Sequence, residues 1–207
     1  MWGLIVDNVI TDIIPNPKSV TINNVQYPSN IFSWSKSDLG NLGIYEIVQD
    51  NTNLKDSKYY TNTSISYEFK SSVTIDSQSY SNVIVGSYGS ATALPMNDIL
   101  FVDGDEIPTG ASVGDIKQFG LKSIHKDNIN LQASSILSNT DWYAWRASEG
   151  GTAMPTNIKT YRASVRTKSN EMCTLIDNAS DVDALIALYV YNDENPPVRP
   201  LGEFPTL

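Results

Sequence analysis

Cysteine occurs once in these 207 residues, at Cys173, so no intrachain disulfide can form and folding needs no oxidising compartment. Histidine also occurs once, at His125. One histidine and one cysteine cannot complete an ordinary zinc site without two carboxylates, and no suitable spacing is present. Cations are in deficit: 14 Lys and Arg, scattered without a basic run, face 23 Asp and Glu, for a net charge of −9. Such a chain repels phosphate backbones, which argues against a nucleic-acid partner. No apolar run approaches the ~20 residues of a membrane-spanning helix. The opening Met1-Trp2-Gly3-Leu4-Ile5-Val6-Asp7 has no positive n-region and too short an apolar run for a signal peptide, so synthesis in a cytoplasm is expected.

Charge of either sign is scarce, at 18% of residues, so neutral polar side chains must cover much of the surface; 24 Ser and 19 Asn supply them. The length suits one domain or two small ones and suffices to bury a core unaided. The pattern divides the chain into three expected modules, 1–48, 49–114 and 115–207. In the first, β-prone runs flank Asp7-Asn8 and again Asn23-Asn24, residue pairs that tolerate the positive φ of tight hairpin turns. Two successive hairpins follow. Ser35 with Asp38 forms a short capping box for a helix over 35–42, which Gly43 stops. Ile44-Tyr45-Glu46-Ile47-Val48 alternates as a strand.

The second module opens on a polar loop over 49–58. β-patterned segments at 64–69, 72–75 and 80–85 then alternate apolar with Ser or Thr, as in an antiparallel sheet with one wet face. An irregular connection follows, rich in glycine, with one short strand near 99–102. The third module is helical. The spacing predicts a helix over 115–137 and a second one capped by Thr140 and stopped by Gly150-Gly151. A third spans Thr156–Asn178, capped by Thr156, with Ile158, Tyr161, Val165, Met172, Leu175, Ile176 and Ala179 along its apolar stripe and Arg162, Arg166, Lys168 and Asn170 mostly off it. Cys173 falls on this helix, where a half-buried structural thiol is expected rather than a nucleophile. Ser180-Asp181-Val182-Asp183 opens a last short helix, and Pro196, Pro197 and Pro200 force an extended arm over 196–207. The fold class is therefore α+β: N-terminal hairpins with a short helix, a central antiparallel sheet, and a helical C-terminal subdomain with an extended tail.

No motif carries chemistry. Gly110-Ala111-Ser112-Val113-Gly114 matches G-x-S-x-G literally, but turn residues precede it where a hydrolase elbow needs a buried strand. His125 follows 13 residues later, leaving no room for an acid and a strand, and reads as a hydrogen-bonded structural residue. Asp103-Gly104-Asp105-Glu106 lacks the alternating ligands and closing Glu of a calcium loop and reads as a solvated turn. No nucleophile–base pair, metal cluster or phosphate loop survives, so neither enzymatic activity nor a cofactor is expected. Trp142, Tyr143 and Trp145 crowd onto one capped helix; they suit a core or interface anchor better than a sugar-stacking platform.

Two sets of residues resemble a widespread group of tailed-bacteriophage tail proteins, many of them tail-fibre-assembly-like or tail structural proteins. The N-terminal set is Val20-Thr21-Ile22-Asn23-Asn24-Val25, Tyr27-Pro28-Ser29-Asn30-Ile31-Phe32 and Leu39-Gly40-Asn41-Leu42-Gly43-Ile44-Tyr45. The C-terminal set runs from Gly120-Leu121-Lys122 through Thr140-Asp141-Trp142-Tyr143, Tyr161-Arg162 and Arg166 to Arg199-Pro200-Leu201-Gly202-Glu203-Phe204-Pro205. Together they cover somewhat over half the chain, and residues 49–119 match loosely. The resemblance implies a phage tail or tail-fibre context with other tail proteins as partners, brings no enzymatic residues, and does not separate a particle component from a chaperone that leaves. Synthesis in the host cytoplasm and residence in the virion tail are expected. The expected role is a structural component of the baseplate or fibre-attachment region, held as a symmetric homo-oligomer. Its expected interface residues are Trp142, Tyr143, Trp145, Arg199, Pro200 and Phe204. The alternatives are a fibre-assembly chaperone absent from the finished particle and a receptor-binding module using Trp142 and Trp145.

Overall fold

The computed structural model describes all residues, Met1–Leu207, and the chain divides into two compact units, Met1–Thr92 and Ala93–Leu207. This division falls inside the 49–114 span that patterning set apart. The reason is strand pairing: residues from both the 1–48 and 49–114 spans build one sheet.

In the first unit, β1 (Trp2–Val6) and β2 (Val9–Ile14) form a hairpin whose turn places Asp7 and Asn8 at φ 51° and 64°. β3 (Val20–Ile22) and β4 (Val25–Tyr27) repeat it, with Asn23 and Asn24 at φ 49° and 64°. Helix α1 (Lys36–Asn41) starts where Ser35 Oγ accepts the Asp38 N–H. Its exit turns on Gly43, at φ 78°; a Cβ there would overlap the Ile5 carbonyl oxygen, so no other residue fits.

Beyond it, β5 (Ile44–Asp50) joins β7 (Ile65–Ile75) and β8 (Gln78–Tyr88) in a five-stranded sheet of order β2-β1-β5-β8-β7. β6 (Tyr60–Thr61) and β9 (Thr92–Ala93) are two-residue strands. The sheet is mixed rather than antiparallel: β5 and β8 run parallel. The chain crosses over after β5, lays β7 at the outer edge, and returns through a hairpin at Asp76-Ser77, so β8 enters the gap running in the direction of β5. The segments expected separately at 64–69 and 72–75 are one continuous strand, β7. The core is wholly apolar, with Ile14, Ile31 and Ile44 sealed from solvent beside Leu4, Val20, Ile22 and Leu39.

In the second unit, β10 (Ile99–Leu100) pairs with β11 (Ile116–Gln118), so residues 116–118 are strand where a helix was expected. Helix α2 (Leu121–Ser138) begins only after Gly120, whose backbone approaches Asn97 too closely for any side chain. α3 (Asp141–Ser148), α4 (Thr156–Asn178) and α5 (Val182–Ala187) complete the unit, with α2 packed on α4. Neither Thr140 nor Thr156 caps: the Thr140 hydroxyl donates back to the Leu137 carbonyl, and Thr156 lies inside its helix with Pro155 at the cap position. Asp181 does cap α5, accepting the Ala184 N–H at 2.8 Å. The 196–207 segment folds back on its own unit. Leu201 is fully buried and donates its N–H to Leu188 O at 3.0 Å. No helix is long and apolar enough to cross a membrane.

Candidate interaction site

The buried face of α4 is Ile158, Arg162, Val165, Ser169, Met172 and Ile176, alternating steps of four and three residues. Two of those six positions are polar, which corrects the expectation that Arg162 lies off the stripe. Tyr161 is only half-buried and Leu175 is exposed.

Burying a guanidinium is costly unless every direction it points in is answered. Arg162 Nη1 donates to Leu137 O at 2.7 Å and to Thr140 Oγ1 at 2.6 Å, while Nη2 meets Asp141 Oδ1 at 2.8 Å. Leu137 O lies in the last turn of α2, where the helix dipole is negative, and Asp141 stands in the first turn of α3. One side chain from α4 therefore ties the end of α2 to the start of α3.

Helix α3, fixed in this way, buries none of its own residues. Its far end closes with Gly150 at φ 81°, the Gly150 N–H on Ala147 O and the Gly151 N–H on Arg146 O, the paired bonds of a Schellman stop. A Cβ at Gly151 would press on Arg146 O at 2.8 Å. Along the helix, Trp142 and Tyr143 stack with centroids 3.8 Å apart, and the Arg146 guanidinium lies 4.7 Å from the Trp142 ring and 5.4 Å from the Tyr143 ring. Arg146 Nε is shielded and makes no hydrogen bond. Trp142 is 51% exposed and Trp145 69%, so of the expected core or interface anchor the core reading is excluded, and the aromatics form an external ledge.

Beside Asp141 an open cleft of about 410 Å³ runs between α2 and α4, lined by Asn130, Ser134, Arg162, Arg166 and Ser169 among others. Ser169 Oγ donates to Asn130 Oδ1 at 3.1 Å. Arg166 is exposed and has no carboxylate partner. The cleft offers hydrogen-bonding groups and the Arg166 guanidinium to a ligand.

The other expected interface residues lie on the C-terminal segment. Arg199 is engaged inside its unit: Nε and Nη2 grip the Glu203 carboxylate at 2.7 and 3.0 Å, beneath Tyr191, whose hydroxyl donates to Glu203 Oε1 at 2.6 Å. Pro200 is exposed and Phe204 half-buried. No hydrogen bond, ion pair or ring contact joins this cluster to the α3 ledge.

His125 is buried in α2 with Nδ1 2.6 Å from the Tyr189 hydroxyl. Ser112 sits in a turn between β10 and β11, its N–H on Asp115 Oδ2, with Gly110 and Gly114 both at φ 95°. Burial pushes the Cys173 thiol up, against the pull of the Lys126 ammonium, which disfavours thiolate. No three His, Cys, Asp or Glu side chains converge as a metal site. No family model matches this chain, and neither a curated protein nor a solved structure matches it.

Proposed function

We propose that this chain is a structural component of a bacteriophage tail, in the baseplate or fibre-attachment region, that binds a neighbouring tail protein through α3. The observation that carries the binding role is a two-turn helix that contributes nothing to the core yet is clamped at both ends and displays two exposed tryptophans. Ordering such a segment costs backbone entropy that burial of its own side chains does not repay. Large, rigid aromatic surface on a fixed support is what anchors protein interfaces, where a single Trp can carry about 2 kcal/mol or more. The tail context rests on the sequence resemblance.

The test is mass spectrometry of purified virions, comparing the native chain with a Trp142→Ser/Trp145→Ser double variant. Stoichiometric native peptides, with the variant folded but missing from particles, support the proposal. A native chain confined to infected-cell lysate overturns it in favour of an assembly chaperone. Release of reducing ends from host surface polysaccharide by the purified chain overturns the non-enzymatic reading.

A further inference from the structure

The outer strand of the five-stranded sheet is unguarded. β7 runs for 11 residues, Ile65–Ile75, and β8 is its sole neighbour in the sheet, so its other edge presents a row of unpaired backbone donors and acceptors. Folded proteins blunt such edges with proline, bulges or unpaired charges, since a bare edge is a template for another strand. β7 has no proline, and its register with β8 keeps step along the whole length. Its two charges, Glu68 and Lys70, neutralise each other at 2.6 Å. The remaining outward groups are largely Ser and Thr. β2, the opposite edge, differs: it is six residues long and has a bulge in its pairing with β1.

We propose that β7 pairs antiparallel with β7 of a second copy of this chain, in a register centred on Phe69. The occupant and the register both follow from charge. A two-fold axis through Phe69 sets Glu68 of each copy directly opposite Lys70 of the other, giving two cross-strand ion pairs. Registers centred on Tyr67 or Ser71 leave all four charges facing Ser or Thr. Opposite charges across a strand pair stabilise it and like charges oppose it. Phe69, 37% exposed, leans across β8 onto Tyr45 at a ring distance of 4.7 Å, so it is the Phe69 backbone, not its ring, that lies on the axis. Two five-stranded sheets become one of ten strands. This surface lies in the first unit, and the proposal stands whether or not α3 is an interface.

Sedimentation velocity of the full chain over a concentration series, at low salt, tests it with charge reversals. Glu68→Lys or Lys70→Glu alone places like charges opposite each other and weakens dimerisation by about tenfold. An equimolar mixture of the two single variants restores it, because every Lys then faces a Glu; the double variant Glu68→Lys/Lys70→Glu restores it too. Phe69→Cys in a Cys173→Ser background forms an interchain disulfide on mild oxidation, since opposed residues in an antiparallel pair lie within disulfide reach. A chain that stays monomeric throughout overturns the proposal. So does a dimer indifferent to both reversals, or a mixture of the single variants that associates no better than either one.

Discussion

The two units bury different chemistry. Every buried side chain in Met1–Thr92 is hydrophobic, whereas the buried polar residues of the chain, His125, Thr140, Arg162 and Ser169, all lie in Ala93–Leu207. An apolar core is non-directional and tolerates exchange of one aliphatic for another. A polar seam is directional: each buried group fixes the angle and register of the element it reaches. The first unit is thus held by burial, and the second is both held by burial and aligned by Arg162, which is what a clamped, coreless α3 requires.

The sharpest way to break the first unit is to empty its core. Ile44→Ala removes a side chain 1% exposed and should cost about 3–5 kcal/mol, read as an earlier urea transition. Segment-resolved hydrogen exchange should show the loss of protection in β1, β5 and β8.

Arg162→Ala is the corresponding lesion in the second unit. It takes one donor from the Leu137 carbonyl, which keeps the Thr140 N–H and hydroxyl, takes the donor from Thr140 Oγ1, and opens a void. Asp141, half-exposed, is resolvated, so the expected cost is about 2–3 kcal/mol rather than that of a fully buried pair. Arg162→Met fills the space without the bonds. It should recover much of the stability but not the near-ultraviolet circular dichroism of the stacked Trp142–Tyr143 pair, which depends on where α3 is held. Full recovery of both signals by Met would show the seam to be packing alone.

Ser35→Ala should cost about 0.5–1 kcal/mol by removing the cap of α1, with exchange rising in residues 36–38 alone. The smallest effect is electrostatic. The Ala184 N–H and the Ser180 hydroxyl hold the Asp181 carboxyl below its ordinary value of 3.8. A carboxyl depressed by folding stabilises the fold fully above its unfolded value and loses that contribution as pH falls through the lower folded one. Acid titration should therefore loosen α5, and Asp181→Asn, which keeps an acceptor for the cap, should flatten that response.

The parts of the fold legible in the sequence were those set by local chemistry. Asp7-Asn8 and Asn23-Asn24 announce their turns because short polar side chains tolerate positive φ. Asp76-Ser77 makes a similar turn, at φ 49° and 66°, but serine does not advertise it, so only the structure joins β7 and β8 as a hairpin of two 11-residue strands. The parallel β5–β8 pairing depends on contacts far apart in sequence, which local patterning does not carry. Residues 116–118 follow helical spacing loosely, yet a partner strand at Ile99–Leu100 takes their backbone bonds. The site was half legible. The aromatic cluster of α3 stands out by composition, while its support does not: Arg162 is polar, although it lies four residues after Ile158 and three before Val165, squarely on the buried row. Spacing held that signal and residue type obscured it. The prolines of 196–207 predict an extended arm, but Leu201 anchors the segment and returns it to its own unit.

On the proposed function, α3 is a contact surface rather than idle exposure. A photo-crosslinking amino acid placed at Trp145, in chains assembled into purified particles, measures this directly, with the same probe at exposed Leu131 as a control. One discrete crosslink from position 145 to a single tail protein, absent from position 131 and from the free chain, is the predicted result. No crosslink from position 145, or equal labelling from both positions, would contradict it.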